Sequence, residues 1–149
     1  MSESKTVKVE KTPWHLWLTG IVGFLWSSMG VLDYVMTQTK NESYMEAFTP
    51  EQLLFFYTLP AWVTATWAIA VWAGVVGSIL LLLRKKVAVW IYLVSFITML
   101  ITAFQNYILS YGMEVIGDTF TLIFTAFILF IALGLYWYSR AMLRLGILV

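Results

Sequence analysis

The sequence predicts an all-α integral membrane protein, a four-helix bundle with both termini on the cytoplasmic side. Three observations carry this. The 149 residues are 61% hydrophobic and only 11% charged, against about 45–50% apolar and ~25% charged in soluble domains. Four apolar stretches each reach the roughly 20 residues that a helix needs to cross a bilayer. When the chain is threaded through those stretches, eight of its nine Lys and Arg residues fall on one side, and the positive-inside rule makes that side cytoplasmic.

The spans follow in order. After an N-terminal tail, 1–13, the first runs over about 14–36. Its basic leader (Lys5, Lys8, Lys11) invites comparison with a signal peptide, but the apolar core is too long and no Ala-x-Ala site follows. The second covers about 61–83 and has an apolar prelude, Leu53–Tyr57, cut off by Pro60. Proline removes a helical hydrogen bond and clashes with the preceding turn. Thr49, Pro50 and Gln52 form a helix-start signature of their own. Two readings stay open: a short interfacial helix over Pro50–Leu59 before the span, or one long kinked helix. The third span, about 87–109, follows the tight basic turn Arg84-Lys85-Lys86, so spans two and three are antiparallel neighbours. The fourth covers about 120–138, with Asp118 placed to cap it, and 141–149 reads as a cytoplasmic tail. Strands do not compete, because the spans lack the polar–apolar alternation of membrane barrels. The transmembrane domain as a whole takes in 14–140.

Composition narrows the chemistry. With no Cys there are no thiolate ligands, disulfides or thiol nucleophiles. The single His15 cannot build a multi-His metal site, and it reads as an interfacial residue. A net charge of +1 argues against nucleic acid as a partner. No ionisable side chain falls near the middle of a span, where proton-driven pumps usually keep one. No phosphate loop, nucleophile elbow or zinc-binding helix motif occurs. The expectation is therefore a protein that is not an enzyme and needs no cofactor or metal.

Three helix faces stand out. Gly20, Gly23, Ser27 and Gly30 share one face of the first span. Thr66, Ala70, Gly74 and Ser78 share a face of the second. Small residues allow close helix approach, within the bundle or across a dimer seam. Ser95, Thr98, Thr102 and Gln105 make a polar stripe on the third span, with Asn106 adjacent. Such groups bond to neighbouring helices or line a polar cavity. At about 1.5 Å per residue, Asp33 lies about 28 Å along the first span and Gln105 about 27 Å along the third. Asp33, Gln105, Asn106 and Thr102 are thus the candidate ligand-binding residues of an outward-facing pocket, with Thr64 and Thr121 at the same level. The bland alternative for Asp33 is an interfacial carboxylate. Trp14, Trp17, Trp90 and Trp137 suit a cytoplasmic aromatic belt, and Tyr34, Trp62, Tyr107 and Tyr111 an outer one. Trp26, Trp67 and Trp72 lie deeper, as packing or lipid contacts or as a stacking platform for a sugar or other ring-shaped ligand.

Several segments together carry a resemblance. They are Pro13-Trp14-His15-Leu16-Trp17, Asp33-Tyr34-Val35-Met36-Thr37-Gln38-Thr39, Tyr44-Met45, Phe48-Thr49-Pro50-Glu51-Gln52, Ala61-Trp62-Val63, Gly77-Ser78 and the leucine run ending at Arg84. Over Pro13 to about Gly112 the chain resembles a family of small bacterial inner-membrane proteins labelled "sugar transporter". The resemblance implies four spans and a multi-pass location in the bacterial inner membrane, and it adds to the case for transport. It brings no residue roles with it. Two functions follow as expectations: a transport-like or small-solute-binding protein acting as a homo-oligomer, or an accessory subunit of a larger membrane complex. Either has the lipid bilayer as a partner.

Overall fold

The computed structural model describes residues 12–109, 114 and 117–149. The expected basic leader (Lys5, Lys8, Lys11) and most of the second outer loop, with Tyr111 and Gly112, lie outside them. Among the described residues six α-helices have defined bounds: α1 Trp14–Gln38, α2 Glu42–Met45, α3 Pro50–Tyr57, α4 Ala61–Leu82, α5 Val87–Phe104 and α6 Thr119–Arg144. A π-helical stretch, Gln105–Leu109, continues α5. Among the described residues there is no strand. Helices α1, α4, α5 with its extension, and α6 are long and apolar enough to cross a membrane. The chain is thus a multi-pass membrane protein. Large apolar side chains stand exposed along all four, Phe120 and Phe130 at 77%. A surface of that kind is solvated by hydrocarbon.

Local chemistry sets the helix ends. Pro60 separates α3 from α4, and α3 starts with a complete Thr49/Gln52 capping box. The prelude is therefore a separate helix. Asp118 caps α6, accepting from the Thr121 amide at 3.1 Å and its hydroxyl at 2.6 Å. Those two donors hold the exposed Asp118 carboxyl below the usual carboxylate range. Helices α1, α4 and α6 each end in the same pair of reversing backbone bonds, from the residues two and three beyond the last helical one. That ending needs a left-handed residue. Gly146 provides it after α6, but Lys40 and Arg84 provide it after α1 and α4. A non-glycine residue costs roughly 1–2 kcal/mol in this conformation. At Arg84 the cost is offset by bonds to the chain's end: Val149 N donates to the Arg84 carbonyl at 2.9 Å, and Arg84 Nε to the Ile147 carbonyl at 3.0 Å.

The C-terminal segment packs back onto the bundle. Helix α6 runs six residues past 138, and 147–149 turn back onto the α4–α5 connection. Ile147 and Leu148 are buried in one cluster with Leu16, Leu81, Ala88, Val89, Tyr92 and Met142. Arg140 suggests a span end, but both Arg140 and Arg144 stand exposed while Met142 between them packs inward. Long basic side chains reach water from such positions.

Helix α4 packs against α1 on one side and α5 on the other, and α5 packs against α6. The small-residue faces meet each other inside the chain. A methyl group on Gly23 would lie 3.0 Å from Ser78 Oγ, one on Gly74 2.7 Å from Ser27 Oγ, and one on Gly30 3.2 Å from Val71. Ascending positions on α1 meet descending positions on α4, as antiparallel helices require. Gly20 rests on Leu82, and Gly77 on the ring of Tyr92. These faces are thus occupied by one another within the bundle. The α5 stripe completes the seam: Ser95 Oγ donates to the Ala70 carbonyl at 2.6 Å, Thr102 and Thr66 hydroxyls pair at 2.9 Å, and Tyr92 pairs with Ser78 at 2.8 Å. Among the described residues Thr98 bonds only within its own helix.

Candidate functional site

The four spans do not fill the space between them. A cavity of about 540 Å³ lies among α1, α4, α5 and α6, within the size range of small-molecule sites. Its floor is formed by Gly74, Tyr92, Ala132 and Leu135. Beneath the floor, the buried cluster around Leu16, Leu81 and Met142 closes the basic end of the bundle. Tyr44, Phe48, Phe56 and Leu59, from the loop that carries α2 and α3, form the opposite end. Backbones of α1 and α6 are not closely packed along their length. Side chains bridge that gap. Trp26 of α1 meets Phe127 edge-on at 5.8 Å and Phe124 at 6.1 Å, and His15 bonds to Tyr138 nearer the basic end. His15 thus ties two helices together, which its boundary position alone does not show.

The wall is mostly apolar and aromatic, with few polar groups. Asp33, Thr102 and Asn106 are all on it, so three of the four candidate residues share one surface. Gln105 does not line it. It is buried at the start of the π-helical stretch, so of the two amides only Asn106 shares the cavity wall with Asp33. Thr121 lines the cavity, whereas Thr64 does not and bonds back to the Pro60 carbonyl. The π-helical stretch is a departure from the regular helix expected to Leu109, and it carries Asn106 and Tyr107 on the wall. Such single π turns recur at functional sites. Tyr107 pairs with Thr125 of α6 at 2.8 Å, which ties the π-helical stretch to α6.

Asp33 has a partner that spacing does not predict. The Tyr44 hydroxyl donates to Asp33 Oδ1. Burial and the adjoining carboxylate hold the Tyr44 phenol above its ordinary range. The pairing depends on the chain reversal at Lys40, in the left-handed conformation, which brings α2 back over the end of α1. Asn41 then caps α2 by accepting from the Tyr44 amide at 3.0 Å. Thr37, one turn beyond Asp33, is also on the wall and donates to the Asp33 carbonyl at 2.7 Å. The rings are fixed by one another: Trp67 stands edge-on to Tyr34 at 5.1 Å, and Phe48 to Phe56 at 5.5 Å. Sequence reading placed Trp26 and Trp67 deep but missed the aromatic side chains of the loop. The only signal for them was their apolar character in an otherwise polar segment.

Chemically the arrangement can hold a molecule with an apolar body and one polar end. Among the described residues no group of three His, Cys, Asp or Glu side chains is placed to hold a metal ion. No family model, curated protein or solved structure matches the chain.

Proposed function

We propose that this chain is a bacterial inner-membrane protein that binds a small, largely apolar molecule in the cavity between its four spans, in a transport-like role and without enzymatic turnover. One observation carries the reading: a single chain lines a half-open cavity of about 540 Å³, largely apolar and aromatic, with a few polar groups toward one end. Ligand sites have that composition. The resemblance to proteins labelled "sugar transporter" supports the same class. The wall favours a less polar ligand than a sugar, whose hydroxyls each need a partner when removed from water. The proposed orientation puts the cavity's open loops outside. Arg84, Lys85, Lys86, Arg140 and Arg144 gather at the opposite end, where the C-terminal segment pairs with residues 84–86.

The rival reading, an accessory subunit, relied on the small-residue faces, and those are engaged within the chain. The deciding experiment extracts the protein in native lipid particles and identifies small molecules that co-purify. It is repeated with Ala103→Phe, which adds a ring to the wall. A compound retained by the native chain and lost from the variant is the expected result. Identical extracts from both, together with a stoichiometric protein partner, would favour the accessory reading.

A further inference from the structure

Charge constrains what the cavity holds, granted the reading that it holds a small molecule. Among the described residues, Asp33 is the only Asp, Glu, Lys, Arg or His on its wall. It is half-buried, and among the described residues its side chain has one bonded partner, the neutral hydroxyl of Tyr44. Lys40, the basic residue nearest in sequence, lies with its Nζ 4.8 Å from the centre of the Tyr57 ring. A carboxylate withdrawn from water costs several kcal/mol unless a cation pairs with it or a proton neutralises it, and a cation is the partner that keeps its charge. An anionic ligand would be repelled by that charge, and a neutral one would gain nothing from it.

The rings supply a second, independent preference. Trp26, Trp67, Tyr44, Phe48 and Phe56 line the same cavity. Aromatic faces attract cations, most strongly where water is excluded. Three of the five, Tyr44, Phe48 and Phe56, belong to the end of the cavity that also holds Asp33. Toward the floor the wall becomes aliphatic, with Val71, Ile128, Ile131 and Leu135.

We propose that the cavity is a site for a lipophilic organic cation, with its charged centre between Asp33 and the loop rings and its apolar body extending toward the floor. The size suits a compound of drug-like bulk.

Tetraphenylphosphonium and tetraphenylborate test this directly, because they share a shape and differ in sign. Triphenylphosphine oxide serves as the neutral member. Equilibrium binding to the full chain in lipid nanodiscs, with empty nanodiscs subtracted, should show the cation bound at least about tenfold more tightly than the anion. Asp33→Asn should lower cation affinity by about tenfold or more, and Asp33→Glu should recover it to within roughly threefold. If Asp33→Asn does not fold, the sign preference of the native chain decides alone. Equal binding of all three probes would overturn the cation assignment and leave the ligand-binding function standing. Binding of none of them, with no small molecule co-purifying, would overturn both.

Discussion

Two glycine-to-alanine changes on long helices should have opposite effects, and the difference can be worked out from the packing. A methyl group on Gly77 would lie 3.0 Å from both Cδ1 and Cε1 of Tyr92. Carbon atoms in favourable contact sit about 3.5–4.0 Å apart, so the ring must retreat by about 0.5 Å or more. It has little room. Tyr92 is 1% exposed, and its hydroxyl is bonded to Ser78 at 2.8 Å. Overpacking of this kind costs about 1–3 kcal/mol. Replacing glycine in a helix interior returns about 0.5–1 kcal/mol. Gly77→Ala should therefore destabilise, by up to about 2.5 kcal/mol. A methyl group on Gly134 meets nothing within 4 Å. Gly134→Ala keeps only the helix term and should stabilise by about 0.5–1 kcal/mol. Equilibrium unfolding in mixed micelles, followed by helical circular dichroism, measures both. In a cycle with Tyr92→Leu, the Gly77→Ala penalty should shrink, since residues in contact are not additive. Equal stability of the two alanine variants would falsify the packing account.

Three further outcomes are expected. Single cysteines at Ser43 and Lys85, both exposed in a chain with no native Cys, should react differently with an impermeant thiol reagent on intact cells. Position 43 should label and 85 should not, and the reverse pattern would invert the proposed orientation. Ile147→Ala should destabilise by about 2–5 kcal/mol, because the side chain is 4% exposed within the core cluster, whereas a free tail would show no change in the unfolding midpoint. The Tyr44–Asp33 bond should weaken in alkali. The Tyr44 phenol is raised above its ordinary value of 10.0, so its contribution is fully present below pH 10 and lost as pH climbs through the higher folded value. Tyr44→Phe should lower stability by about 1 kcal/mol at neutral pH and remove that alkaline loss, as read from unfolding midpoints across a pH series.

The sequence by itself determined where the spans begin and most of where they stop. Hydropathy, proline position and capping are properties of a few adjacent residues, so Pro60, the Thr49/Gln52 box and Asp118 act much as their local chemistry predicts. It also determined which faces are small or polar, and of the four candidates it singled out, Asp33, Thr102 and Asn106 line the cavity while Gln105 does not. Tertiary structure decided what each face meets. A glycine face looks the same whether its partner is in the same chain or another, and only the α1–α4 register settles that Gly23 meets Ser78 and Gly74 meets Ser27. Tyr44 reaches Asp33 because of a left-handed Lys40, a conformation that no residue preference of lysine foretells. Gln105 leaves the wall at the change to a π-helical turn. The C-terminal segment packs as core because Arg84 and Val149 pair across the chain. The cavity itself has no local signature. It is the volume left between four helices whose axes are set by their tightest contacts, and such volume exists only once all four are assembled.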